Sequence, residues 1–303
     1  MPQKRFIPYS TVNRIVLGTA QFGMNYGISN KRGKIPQPEA FEILNRAIES
    51  GIDAVDTAYD YKESEKTLGN FMESYPTALK IISKLPKCGH DEVKAALNSS
   101  LSKLNVSSLY GYLIHSFENY KKDPKIWDEM EKLKKEGRIK KIGFSLYFPS
   151  ELDSLLKNKN MQIDIIQLPY NIFDQRFTEY FPKLKDNTIE IYARSIFLQG
   201  LLFKKADELD DYFAKINEKI KNLNLLSARS RIPVVALCLN FAVLNRFIDR
   251  VVVGVDNIAN LNEIVYSLKS TADVKRIFNE LLNFKEDDEA IILPLKWEAR
   301  APA

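Results

Sequence analysis

Four side chains in this chain could together move a proton onto a carbonyl oxygen: Asp56, Tyr61, Lys84 and His115. Three of them close short β-branched runs. Asp56 falls at the end of DAVDTA (53–58), Lys84 at the end of LKIISKL (79–85) and His115 at the end of SLYGYLIH (108–115). Tyr61 follows Asp56 by five residues, on the loop after the same run. Reducing a carbonyl delivers hydride to carbon and requires a proton at oxygen. A tyrosine with its ordinary pKa of about 10 is a poor acid–base catalyst near neutrality, but a neighbouring ammonium favours the phenolate and lowers that value. Lys84 is expected to supply the ammonium and Asp56 to hold it by a charge-assisted hydrogen bond. His115 is expected to donate to the substrate oxygen and orient the carbonyl.

Each residue also has an ordinary structural explanation: a helix-capping Asp, a surface Lys, a core Tyr, a structural His. Their coincidence at successive strand ends is what argues for a site. A strand-end lysine also permits Schiff-base chemistry, so an isomerase or lyase using Lys84 stays open at this point.

The elements that position these residues alternate from one end of the chain to the other. Strands are expected at 14–20, 53–58, 79–85, 108–115, 139–145, 163–169, 189–195 and 250–255. Amphipathic helices are expected near 38–50, 64–75, 91–104, 124–136, 149–157, 232–246, 258–269 and 274–284. In the first of these helices Phe41, Leu44, Ala47 and Ile48 share a face and Gly51 supplies a stop. Eight strands, each followed by a helical stretch, predict an α/β fold of one domain over 1–303: a closed (β/α)8 TIM barrel. No linker divides it. The charged stretch 200–231 reads as a lid or helical insertion, and 285–303 as an irregular tail in which Trp297 packs on the barrel or reaches the mouth.

Composition fits a soluble enzyme: 303 residues, 45% hydrophobic and 27% charged. The 44 Lys and Arg outnumber 39 Asp and Glu, yet they lie along helix faces without interleaved aromatics, which excludes a nucleic-acid patch from the reading. Cys88 and Cys238 form no C-x-x-C pair and read as packing residues in a reducing compartment. MPQKRFIPYS has no signal-like apolar core, and the longest apolar run, IPVVALCLNFAVL at 232–244, is broken by Asn240 and reads as a buried helix. A cytoplasmic protein without membrane partners is therefore expected. No His, Cys or carboxylate cluster has metal-ligand spacing, so no metal is expected, and His90 reads as a loop or capping residue. The oligomeric state leaves no mark in the sequence.

DTAYDYKESEKTLG at 56–69 resembles the signature of the aldo-keto reductase family, with SKLPK at 83–87 and LIHSF at 113–117 resembling the family's Lys and His segments. The resemblance runs from about residue 14 to 269. It implies an NAD(P)H-dependent oxidoreductase acting on an aldehyde, ketone or sugar derivative, with Asp56, Tyr61, Lys84 and His115 as its catalytic tetrad. The family binds its dinucleotide without a G-x-G-x-x-G loop, and none follows a strand here. By resemblance, Gly18, Thr19 and Ala20 in GTAQFG approach the nicotinamide, and Ser145 and Gln167 hold its carboxamide. Leu146 stands where the family usually has Asn. Arg194 stands where many members have a stacking aromatic, and a guanidinium can also stack on a flat ring. Ser195, Phe197 and Gln199 would follow the pyrophosphate. In VVVGVDNIANLNEIV, Gly254, Asp256, Asn260 and Glu263 would face the adenosine end, where a helix N-terminus suits an anion. NADPH is the family's usual cofactor; a carboxylate at Asp256 repels a 2′-phosphate and can accept from a ribose hydroxyl, so NADH stays open beside it. Phe22, Tyr26 and Phe117 are candidates to line an apolar or sugar-stacking substrate pocket. The alternative reading is a regulatory subunit that binds the dinucleotide with little turnover.

Overall fold

The computed structural model describes residues 9–28, 30, 32–158 and 160–298. In it the eight expected runs form eight parallel strands that close on themselves in chain order. They are β1 (Ile15–Gly18), β2 (Ala54–Asp56), β3 (Lys80–Leu85) and β4 (Leu109–Ile114), then β5 (Ile139–Ser145), β6 (Ile165–Pro169), β7 (Glu190–Arg194) and β8 (Arg250–Gly254). Gly18 closes the ring at the upper rim, in register with Asp56 on one side and Gly254 on the other. The runs are nearly continuous in apolar residues because each strand is covered on both faces, by the barrel interior and by a helix.

The interior is layered, and side-chain alternation along each strand explains the layers. A middle plug is made by Val16, Ala54, Ile82, Leu113, Ile165 and Tyr192, all fully buried. Two residues earlier in three of these strands come Lys80, Glu190 and, beside Val252, Arg250. With Asp53, Tyr110 and Lys141 they form a charged floor at the N-terminal end. Asp53 accepts from Lys80 Nζ at 2.8 Å and Arg250 Nη1 at 2.6 Å, while Lys141 pairs with Glu190. Two residues later than the plug come Gly18, Asp56, Lys84, His115, Gln167 and Arg194. The upper layer is thus made of polar residues from different strands brought to one level by a period of two.

Outside the barrel, the helix Gln37–Glu49 buries Ala40, Ile43, Leu44 and Ala47. This face is centred differently from the expected one: Phe41 turns to the neighbouring helix Ser64–Ser74, with ring centroids 5.4 Å from Phe71 and 6.2 Å from Tyr75. The helix Val234–Leu244 is buried almost all round. Its one strongly polar side chain, Asn240, is satisfied by donating to Ala236 O and Ser267 O, both at 2.9 Å, and by accepting from Thr271 Oγ1 at 2.6 Å. Among the described residues no single helix is long and apolar enough to cross a membrane.

The 200–231 stretch continues short 3₁₀ turns at Leu198–Phe203, Ala206–Glu208 and Asp211–Ile216 into a helix, Asn217–Ser230, that buries Ile220, Leu223 and Leu226. It is clamped by the tail. Lys219 Nζ reaches Glu286 at 2.7 Å, Tyr212 Oη donates to Ala290 O at 2.6 Å, and Phe213 meets Trp297 edge-on at 5.1 Å. Trp297 therefore packs on the insertion. The tail is not irregular throughout, since Glu289–Ile292 and Leu295–Glu298 are short helices; residues 1–8 of the expected leaderless N-terminus and 299–303 of the tail lie outside the described residues. His90 opens a 3₁₀ turn and its Nδ1 meets Asp123 at 2.9 Å. Cys238 is buried and Cys88 half-buried, neither bonded to the other.

Candidate active site

In the upper layer Lys84 is almost wholly enclosed, 1% exposed, and its ammonium donates to Asp56 Oδ1 at 2.5 Å and to the Thr57 carbonyl at 2.8 Å. The other Asp56 oxygen accepts from Gln167 Nε2 at 2.7 Å, and Ser145 Oγ donates to Gln167 Oε1 at 3.4 Å. This chain satisfies a buried charge pair on both sides, the condition under which such a pair is tolerated. The Lys84 Nζ stands 5.1 Å from the centre of the Tyr61 ring, and that ring meets the His115 imidazole edge-on at 6.2 Å. The structure thus brings all four expected residues to one place.

Their electrostatics differ from the expectation in two respects. Burial pushes the Tyr61 phenol above its ordinary pKa, the Asp56 and Tyr147 charges add to this, and only Arg194 among the main influences opposes it. Lys84 does not bring it down, because its charge is already answered by Asp56 and the enclosed site penalises a phenolate. Tyr61 is consequently a neutral phenol at neutral pH, the form that can give a proton. The second difference concerns His115. Burial holds it below its ordinary pKa, against the Asp60 hydrogen bond, so it is neutral at pH 7. Its Nδ1 lies 3.2 Å from Asp60 Oδ2. A carboxylate only accepts, so Nδ1 carries the ring proton and Nε2 is left as an acceptor. In this arrangement neutral His115 offers an acceptor at Nε2, and a donor there only when protonated. Asp60 gave no signal in the sequence beyond its place next to Tyr61.

Above the tetrad opens a cavity of about 360 Å³ that runs across the barrel rim from β2 to β8. Its wall includes Asp56, Tyr61 and Tyr26, together with Gly18, Thr19 and Ala20 after β1. Gln167 stands at its floor, and Arg194, Ser195, Phe197 and Gln199 come from the loop after β7. Gly254, Asp256, Asn260 and Glu263 complete the far end. Ser145 is set back, touching the cavity only through Gln167. Lys84 and His115 are likewise absent from the wall, and Lys84's enclosure in the Asp56 pair argues against Schiff-base chemistry. Phe22 and Phe117 are a correction: Phe22 is 1% exposed in the core and Phe117 packs 6.4 Å from Phe144, so neither lines the cavity. Phe22 lies within the short helix Ala20–Gly23 and Phe117 opens another, Phe117–Lys122, and the sequence does not announce the inward turn of either.

The β7 loop is held in an unusual conformation. Ser195, Leu198 and Gln199 have φ of 58°, 46° and 51°, and Gly200 has φ of 91°. Three non-glycine residues in the left-handed region cost of order 1 kcal/mol or more each and mark a loop shaped by its surroundings. Asn171 Nδ2, donating to Ser195 O at 3.0 Å, is one of its supports. The groove also needs close backbone approach. A Cβ at Gly254 would lie 2.9 Å from Gln21 Nε2, and Gln21 in turn reaches Asp256 Oδ1 at 3.5 Å. With Gly18 and Gly254 on its wall and polar and apolar side chains mixed along it, the groove would suit a dinucleotide. Among the described residues no His, Cys, Asp or Glu group could hold a metal ion.

A parallel eight-stranded barrel with Asp, Tyr, Lys and His grouped at its upper rim defines a recognisable class: the model of the Aldo/keto reductase family matches residues 14–280, and this chain belongs to that family. Among curated relatives, the oxidoreductase YqkF of Bacillus subtilis (strain 168) is 28% identical over 181 residues, 55% of this chain and 58% of that protein. The glyoxal reductase of the same organism is 31% identical over 170 residues, 54% of this chain and 60% of that protein. The matched region therefore spans less than two thirds of either relative. The holo form of the aldo-keto reductase AKR11C1 from Bacillus halodurans superposes with a TM-score of 0.73 at 20% identity, over 91% of this chain and 94% of that one, a likeness of fold.

Proposed function

We propose that this protein reduces a carbonyl group to an alcohol with NADH or NADPH, and that Tyr61 supplies the proton. The observation that carries this reading is Tyr61 itself: a phenol on the cavity wall, kept neutral by burial, backed by the Lys84–Asp56 pair. When bound, the nicotinamide supplies a hydride to the carbonyl carbon. The Tyr61 hydroxyl gives its proton to the carbonyl oxygen as negative charge develops there, and the Lys84 ammonium answers the Asp56 charge that would otherwise oppose the phenolate left behind. Asp56 fixes the ammonium, and Gln167 fixes Asp56. Oxidation of an alcohol needs the phenolate at the outset, which burial disfavours, so near neutrality the free protein holds Tyr61 in the form that reduction uses.

Gly18, Thr19, Ala20 and Gln167 would hold the nicotinamide end, and Ser195, Phe197 and Gln199 the middle. At the adenosine end stand Asp256 and Glu263, with Asn260 between them, while Arg32 beside Asp256 is occupied by Glu39 at 2.8 Å. Two carboxylates and no free cation among these residues favour a ribose 2′-hydroxyl over a 2′-phosphate, which supports NADH. Fluorescence titration with each cofactor tests both points. Tighter binding of NADH is expected, with Asp256→Ser shifting the ratio toward NADPH by about tenfold, of the order of one removed charge repulsion at a surface site. Failure to bind either cofactor would remove the proposal.

A further inference from the structure

Arg194 ends β7, two residues beyond Tyr192 of the plug, and lines the cavity together with Tyr61 and Gln167. Its guanidinium is fixed by its neighbours: Nη1 donates to Ser195 Oγ at 3.2 Å and Nη2 to the Leu146 carbonyl at 2.8 Å. Cζ lies 4.2 Å from the centre of the Tyr147 ring, which takes no part in the cavity wall and so covers the cation on the side away from the open space.

Both hydrogen-bond acceptors of Arg194 are neutral, and among the described residues no carboxylate forms an ion pair with it. The other charges at this end cancel or are absent. Lys84 and Asp56 answer each other at 2.5 Å, Tyr26 and Tyr61 are neutral phenols, and His115 is a neutral imidazole. Asp60 is turned to His115 and Lys87 and does not line the cavity. The two further acidic residues of the wall, Asp256 and Glu263, belong to the far end. One positive charge therefore stands on this part of the wall without an answering anion. Tyr26, Tyr61 and His115 all feel it, which places it at the proton-transfer end of the groove.

A carbonyl whose oxygen reaches Tyr61 must have its carbon against the nicotinamide, so that ring and Arg194 share one end of the cavity. A nicotinamide is neutral when reduced and carries one positive charge when oxidised. The difference is the hydride that the carbonyl carbon accepts while Tyr61 gives its proton to the oxygen. The diphosphate, the riboses and the adenine are the same in both forms. We infer that Arg194 makes the site discriminate between the two redox states of its cofactor: the reduced form is held and the oxidised form is repelled, so the spent cofactor is the one released. This rests on the carbonyl-reductase reading above. Two like unit charges about 6 Å apart at an effective dielectric of about 20 repel by the equivalent of about a hundredfold in affinity, and fuller screening leaves about tenfold. A neutral aromatic ring in this place would act the other way, because its negative face attracts a cation. The same preference raises the potential of the bound two-electron couple by about 30–60 mV, since each tenfold is worth about 30 mV.

The test is calorimetric titration of the wild type, Arg194→Gln and Arg194→Lys with NADH and NAD+, and with NADPH and NADP+. The ratio of dissociation constants within each pair is free of whatever the 2′-phosphate contributes. The wild type is expected to bind the reduced form about tenfold to a hundredfold more tightly. Arg194→Gln is expected to lower that ratio by about tenfold or more, chiefly through tighter binding of the oxidised form, and Arg194→Lys, which keeps the charge, to retain most of it. A wild-type ratio near one overturns the inference, and this reading needs no variant to fold. So does a ratio unchanged in Arg194→Gln while both forms weaken alike, which assigns the residue to the diphosphate. Binding of neither form by the wild type fells the carbonyl-reductase reading and this inference with it, whereas binding of both forms with equal affinity removes this inference alone.

Discussion

Gly23 offers a measure of how closely the Tyr61 loop must be placed. A Cβ at this position would stand 1.8 Å from the Tyr61 carbonyl oxygen and 2.5 Å from the Ser64 nitrogen. To regain the 3.4 Å of an ordinary contact from 1.8 Å, the Tyr61 backbone must withdraw by about 1.6 Å. It cannot do so freely. Ser64 Oγ donates to Thr19 O at 2.8 Å and Ser64 N to Tyr61 O at 2.9 Å, which ties this loop to the end of β1. Overpacking of this kind costs about 1–3 kcal/mol of stability, and displacing a catalytic group by about 1 Å costs on the order of a hundredfold in rate. Gly23→Ala is therefore expected to remain folded and to lose about a hundredfold or more in kcat, with cofactor affinity reduced far less. The assay is steady-state NAD(P)H oxidation together with circular dichroism, thermal melting and cofactor titration. Gly137→Ala is the control: Gly137 has φ of 74° and open space around it, so the variant should lose about 1 kcal/mol of stability and keep its kcat. A Gly23→Ala protein with wild-type kcat would refute the claim that this close approach sets the position of Tyr61.

Tyr61→Phe should lower kcat by about 10²–10⁴-fold, the usual worth of positioned proton transfer, while leaving cofactor titrations near wild type. Lys84→Met leaves Asp56 buried beside Gln167 without its cation, and urea denaturation should show a loss of about 3–5 kcal/mol; an unchanged midpoint would show that the pair is not the buried unit described. The His115 pKa lies below its ordinary 6.5 in the fold, so the unfolded chain binds that proton more readily. Its contribution to stability is full above pH 6.5 and is lost as pH falls through the lowered value, so His115→Gln should flatten the stability profile below 6.5, read by thermal melts across pH. Asp60→Asn frees His115 to carry its proton on Nε2, and is expected to change the pH dependence of kcat/KM more than cofactor affinity.

Much of the site is legible in the chain because β-strand side chains alternate. Once Ile82, Leu113 and Ile165 are placed inside the barrel, Lys84, His115 and Gln167 must lie inside it as well, one level up. That argument needs only a strand assignment and a direction, and the eight apolar runs supply both. It weakens where the chain leaves the strands. Phe22 and Phe117 follow strand ends closely, yet each turns into the core on a short helix, and periodicity over so few residues does not reveal which way a ring points.

The sequence alone determined the eight strands, the barrel they close and the level at which Asp56, Lys84, His115 and Gln167 sit, because all of these follow from periods repeated along one segment at a time. Tertiary structure decided what happens between segments. It set Asp60 against His115 and so chose the imidazole tautomer, and it enclosed the Tyr61 phenol enough to raise its pKa and keep it protonated. It backed Arg194 with Tyr147 and the Leu146 carbonyl, and it clamped 200–231 under the tail through Tyr212, Lys219 and Trp297. These outcomes depend on which loops meet in space and on how much water they exclude, quantities that no single stretch of chain contains.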